Sequence, residues 1–259
     1  MELRYQAKVE YDGTDFLGFQ IQARGRTVQG ELEKAIERIT QQQVRVLGAG
    51  RTDAGVHASG QVIAFDVSWR HTDRELHRAL NAVLPEDIAI RHLTTSYSAF
   101  HPRFDAKWRQ YRYTILNMPV RSPLWARNAY HIAEPLDVEA MSEASRSLVG
   151  SHDFAAFGKP TQGESTVRRV MRAEWFVEYP RDIEGELLIF EIRANAFLYR
   201  MVRNIVGTLV RAGLGVQAPD EVEALLETKD RAAAGPPAPP CGLCLVKVEY
   251  KDNEQRATK

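Results

Sequence analysis

At 259 residues, with 44% hydrophobic and 26% charged side chains, the chain has an ordinary globular composition and enough length to bury a substantial core. Lys+Arg and Asp+Glu are both 34, so the formal net charge is zero, which counts mildly against nucleic-acid binding, where a basic excess is usual. No apolar run approaches the roughly 18 residues of a membrane span, there is no signal-peptide core, and two cysteines make no disulfide scaffold. A cytoplasmic location without membrane contact is expected.

Leu3, Tyr5, Ala7, Val9 and Tyr11 alternate as a strand does, and Asp12-Gly13-Thr14 breaks it. A helix follows Thr27, with Val28, Leu32, Ile36 and Ile39 on one stripe. Val44 to Leu47 and Val62 to Phe65 read as strands flanking a glycine-rich loop. Thr72-Asp73-Arg74-Glu75 is a capping box that opens a helix through Leu76, Leu80 and Val83, closed before Pro85. Asp87 to Thr95 returns as a strand. The order β-α-β-β-α-β is the split arrangement of ferredoxin-like units.

The second half repeats that order. A strand runs from Trp108 to Leu116 and a helix from Asp137 to Val149. Strands Val170 to Tyr179 and Glu186 to Ala194 are joined near Asp182 to Gly185, and a helix spans Ala196 to Ala212. A short helix starts at Pro219-Asp220, and Leu243 to Tyr250 is the final strand. Ala- and Pro-rich Arg231 to Pro240 reads as a stiff extended linker. The expected class is α+β: two ferredoxin-like halves forming a continuous, mostly antiparallel sheet, with helices on one face and a central cleft. The expected divisions are 1–100, 101–250 and a polar tail, 251–259.

The loop Gly48-Ala49-Gly50-Arg51-Thr52-Asp53-Ala54-Gly55-Val56-His57 puts one carboxylate beside an arginine where glycines allow tight turning. Phosphate-binding alternatives fail. A dinucleotide fingerprint needs glycine at position 53, and a phosphate-cradling loop needs Lys then Ser or Thr where Val56-His57 stands. Charge is also polarised. From Pro102 to His131, Arg103, Lys107, Arg109, Arg112, Arg121 and Arg127 face Asp105 alone, and Arg193 to Arg211 carries four arginines and no acid. Acids gather at Glu31, Glu33 and Glu37 and at Asp220, Glu221, Glu223 and Glu227. A neutral protein polarised this way can present a basic groove.

Arg51-Thr52-Asp53-Ala54-Gly55-Val56-His57 resembles the active-site signature of the TruA family of tRNA pseudouridine synthases. Further blocks follow in the family's order. They are Tyr11-Asp12-Gly13-Thr14 with Thr27-Val28-Gln29-Gly30-Glu31, then Phe100 to Lys107 with Arg109-Gln110-Tyr111-Arg112-Tyr113, then His152-Asp153-Phe154. Ala196-Phe197-Leu198 with Met201-Val202-Arg203, Lys229-Asp230-Arg231 and Gly242-Leu243-x-Leu245-Val246 close the series. Phe19 stands where the family usually has tryptophan, and Cys244 where an aromatic residue is common.

The resemblance implies isomerisation of uridine to pseudouridine at positions 38, 39 and 40 of the tRNA anticodon stem-loop, by a homodimer whose two subunits share one tRNA. It implies no cofactor and no metal, because the reaction is an isomerisation. Asp53 matches the nucleophile, with attack at C6 of the base or C1′ of the sugar left open. Arg203 matches the cation that pairs with this carboxylate and keeps it ionised against desolvation. Tyr111 matches the residue stacked on the flipped base, Leu245 packs on its other side, and Arg51 fills the gap it leaves. Arg109 and Arg112 are the weaker RNA-binding candidates.

His57 reads as structural or RNA-contacting, since no serine or cysteine is placed as its nucleophile. Cys241-x-x-Cys244 lacks the second ligand pair that zinc needs, and alternation with Val246, Val248 and Tyr250 turns Cys244 toward the core. Two other functions compete with catalysis: a non-catalytic tRNA-binding protein on the same scaffold, and a redox or metal protein using the cysteines.

Overall fold

The structure is a computed structural model that describes residues 2–160, 163–181 and 183–250. Asp182 and the tail expected from residue 251 lie outside the described residues. The chain divides into two compact units, one of residues 1–107 with 245–259 and one of residues 108–244.

In the first unit the strands are β1 (Glu2–Tyr11), β2 (Leu47–Gly48), β3 (His57–Ser68) and β4 (Ile88–Thr95), with helices α1 (Val28–Thr40) and α2 (Asp73–Val83). β1 lies antiparallel between β4 and β3, and β2 pairs antiparallel with β3. This is the ferredoxin-like pattern. The expected alternation in β1 holds: Tyr5, Ala7, Val9 and Tyr11 are buried, and Tyr5 stacks on Phe65, its register partner, at 5.6 Å. Thr72 and Glu75 form the reciprocal capping box at the start of α2.

Val44 to Leu47 does not form the expected strand, which shrinks to Leu47–Gly48. The cause is side-chain competition for the backbone. Glu33 accepts the Val46 N–H at 3.0 Å, and the buried amide of Gln29 donates to the Val46 carbonyl at 2.9 Å. Both groups of Val46 are taken by α1 before a sheet can use them.

The second unit contains β5 (Ala106–Asn117), β6 (Tyr130–Ile132), α3 (Val138–Arg146), β7 (Gly150–Asp153), β8 (Val167–Glu178), β9 (Glu186–Ala194), α4 (Met201–Gly213) and α5 (Glu221–Thr228). β9 lies antiparallel between β5 and β8, β7 extends the sheet at β8, and β6 runs parallel to β5. Tyr113, Ile115, Phe154, Phe157, Phe190 and Leu209 are wholly buried. Short β6 and β7 had no visible pattern, being three and four residues long.

The helix expected from Ala196 begins only at Met201. Asn195 Oδ1 accepts the Ala196 N–H, Tyr199 N–H bonds to the Lys159 carbonyl, and Arg200 sits in the left-handed region at φ 58°. The Tyr199 donor would otherwise close the first helical turn onto the Asn195 carbonyl, which Arg109 occupies instead.

The expected linker 231–240 is a packed strap. Gly235 N–H donates to Thr208 Oγ1 at 2.9 Å and Ala238 N–H to the Arg203 carbonyl at 2.9 Å, both on α4. A short 3-10 turn, Pro240–Gly242, leads into β10 (Leu243–Tyr250). There Leu243 and Leu245 are buried and Cys244 is half-buried, while farther along Val248, on the Cys244 face, is buried and Lys247, on the leucine face, is exposed, so neither face is the core face along the whole strand.

Candidate active site

Asp53 stands half-buried on the loop between β2 and β3, between exposed Arg51 and buried His57. The loop's backbone is tied to the segment that follows β1. Phe19 N–H donates to the Thr52 carbonyl at 3.0 Å and Gly55 N–H to the Phe16 carbonyl at 3.3 Å. That segment is itself anchored to α1, because Val28 and Gln29 donate to the carbonyls of Gly18 and Phe19. Thr27 caps α1 by accepting from Gly30 N–H. The Tyr11-Asp12-Gly13-Thr14 and Thr27-to-Glu31 blocks therefore support the Asp53 loop from one side.

The Phe100-to-Asp105 block also has a structural explanation. Asp105 Oδ2 accepts from the Tyr97 hydroxyl at 2.7 Å and the His101 N–H at 2.9 Å, and Tyr250 hydroxyl donates to the Pro102 carbonyl at 2.8 Å. Leu245, in the same unit, is 0% exposed.

In the second unit Tyr111 is 8% exposed and meets the Phe197 ring edge-on at 4.9 Å. Arg109 is equally buried and donates to the Asn195 carbonyl at 3.0 Å. Arg112 is half-exposed and paired with Glu191 at 2.9 Å, and Glu191 also takes an amide proton from Gln110. Arg193 donates to Gln110 and lies 4.2 Å over the Trp108 ring. Arg203 projects from α4, and its Nε donates to the Ala238 carbonyl at 2.7 Å, so the strap orients this guanidinium. Lys229 pairs with Asp153 at 2.8 Å, and together with Thr166 it holds that carboxyl below the usual range. This joins two of the motif blocks by structure and not by chemistry.

Among the described residues no group of three or more His, Cys, Asp or Glu could hold a metal ion. Neither Cys241 nor Cys244 is in a disulfide among the described residues, and burial pushes the Cys241 thiol up, away from the reactive thiolate. Replacing both cysteines with serine is expected to keep turnover within about threefold. Stoichiometric zinc lost together with activity in the double variant would contradict this.

Residues 7–105 and 144–251 match the tRNA pseudouridine synthase family. The chain belongs to this family, whose members are isomerases that convert uridine to pseudouridine. It is 42% identical over 249 residues to the tRNA pseudouridine synthase A of Pseudothermotoga lettingae, covering 95% of this chain and 99% of that one. The protein of the same name from Geotalea uraniireducens is 44% identical, over 93% and 97% of the two chains. That of Chloroflexus aurantiacus is 47% identical, over 93% and 86%. No helix among the described residues is long and apolar enough to cross a membrane.

Proposed function

We propose that this chain converts uridine to pseudouridine at positions 38, 39 and 40 of the tRNA anticodon stem-loop, as a cytoplasmic homodimer needing neither metal nor cofactor. The observation that carries this reading is Asp53, a half-buried carboxylate on an anchored glycine loop, in a chain 42% to 47% identical to proteins named tRNA pseudouridine synthase A. A non-catalytic tRNA-binding role would leave that carboxylate and its supports without a purpose.

In the reaction the C1′–N1 bond breaks, the uracil turns, and a C5–C1′ bond forms. C5 gives its hydrogen to solvent and N1 takes a proton, so the composition of the nucleotide is unchanged. Asp53 is the nucleophile, toward C6 of the base or C1′ of the sugar, and either role requires its ionised form. Arg203 is the cation that pairs with it. Met201, Val202, Ile205 and Val206 around Arg203 are buried, which supports a charge directed to a specific partner and not to solvent. Tyr111 stacks on the flipped base, Leu245 packs opposite, and Arg51 takes the vacated space. Incubation with an unmodified tRNA transcript and carbodiimide mapping tests the activity. Label at 38 to 40 is expected, and an unmodified transcript would overturn the reading.

Binding is expected to weaken with salt although the chain is neutral, with a slope of log K against log salt of about −0.7 to −0.9 per phosphate neutralised. Arg109→Gln with Arg112→Gln should flatten it. Arg112, half-exposed, contributes the larger part even though Glu191 partly offsets its charge, because Arg109 is only 8% exposed and donates to the Asn195 carbonyl. An unchanged slope would assign the phosphate contacts to other cations.

A further inference from the structure

His57 ends the glycine loop and is 7% exposed, which leaves little of it for RNA to touch. Gly13 N–H donates to its Nδ1 at 3.0 Å. Asp12 Oδ1 lies 3.2 Å from the same nitrogen, but that oxygen already accepts from the Thr14 N–H and hydroxyl. Nδ1 is thus the ring atom tied to the end of β1. Nε2 is buried and has no hydrogen-bond partner among the described residues. The imidazole is therefore oriented through Nδ1.

The residue before Asp53 is held from the same strand end. Tyr11 hydroxyl and Thr52 Oγ1 are 2.8 Å apart, with both residues buried. Gln61 donates to the Gly50 carbonyl at 2.8 Å and lies 3.5 Å from the Tyr11 hydroxyl, extending the grip toward the start of the loop. Between the two ends the fit is tight. A Cβ at Gly13 would fall 2.0 Å from the Val56 carbonyl oxygen, so only glycine lets the β1 end lie against the loop this closely.

We propose that Tyr11 and His57 are positioning residues, forming a two-point clamp that holds the loop on both sides of Asp53. The proposal rests on the reading of Asp53 as the nucleophile. A carboxylate on a loop reaches a reacting atom reproducibly only if its supports are locked, and a displacement of about 1 Å costs roughly 100-fold in rate. Neither side chain is exposed enough to hold tRNA, so the clamp acts on the chemical step and not on affinity.

The test measures single-turnover rate and tRNA Kd for Tyr11→Phe, His57→Leu, His57→Asn and Asp53→Asn. Tyr11→Phe is expected to slow the reaction about tenfold and His57→Leu about 100-fold, with Kd within about threefold of wild type. His57→Asn, whose amide oxygen can accept the Gly13 N–H, should recover a rate within about threefold of wild type. The combined Tyr11→Phe and His57→Leu effect should fall short of the product of the two, because both act on one loop. Full rate in Tyr11→Phe and His57→Leu would overturn the clamp. So would a Kd that rises in step with the lost rate, or a His57→Asn variant as slow as His57→Leu. Should His57→Leu not fold, Tyr11→Phe and His57→Asn decide, and full rate in Tyr11→Phe overturns it. Turnover by Asp53→Asn would instead remove the nucleophile reading, whatever the clamp variants do.

Discussion

Asp53→Asn is expected to abolish turnover while tRNA affinity stays within about tenfold, or 1.4 kcal/mol. Asparagine keeps the size and hydrogen-bonding capacity of the side chain but removes the charge and the nucleophile. The loop backbone should hold, because its ties run through the Thr52 and Phe16 carbonyls and not through this side chain alone. Affinity should survive because phosphate contacts dominate it. Base flipping, which costs a few kcal/mol, should survive on the roles proposed for Tyr111 and Arg51. The readout is tritium at C5 of the uracil, which must pass to water when C5 bonds to C1′. Wild type should release the label, and a comparable rate of release by Asp53→Asn would remove Asp53 from the chemistry.

Gly207→Ala is expected to destabilise the second unit, against the sign that helix propensity predicts. Gly207 is in the interior of α4, where alanine is intrinsically better by about 1 kcal/mol. The added methyl, however, would fall 1.8 Å from the Pro236 carbonyl oxygen of the strap. That oxygen is backbone and cannot swing aside as a side-chain end does. Overpacking of this kind costs about 1–3 kcal/mol or more. Because the blocking atom is backbone, the cost falls at the upper end, about 3 kcal/mol, and less the propensity gain of about 1 the net loss of roughly 2 kcal/mol would lower Tm by about 4–8 °C in a chain of this size. The strap also carries the Ala238 carbonyl that orients Arg203, so turnover should fall along with stability. A Tm at or above wild type would mean that the strap moves freely off the helix.

The local elements were legible because they depend on near neighbours. The alternation Tyr5, Ala7, Val9, Tyr11 identified the buried face of β1, and Thr72 with Glu75 marked the start of α2. The Asp53 loop stood out for its one carboxylate among glycines, and six ordered motif blocks identified the family. Long-range competition for backbone groups was not legible. Nothing near Val46 announces that Gln29 and Glu33 will take both of its backbone groups, and nothing near Ala196 announces the bond from Tyr199 to Lys159. The Ala- and Pro-rich stretch before Cys241 has a linker's composition and became a packed strap only because Gly207 leaves it room. Residue types, spacing and the family resemblance thus marked the side chains proposed to carry the chemistry. Contacts distant in the chain decided how Tyr11, Gly13 and His57 tie down the Asp53 loop, since a hydrogen bond spanning more than forty positions leaves no local pattern.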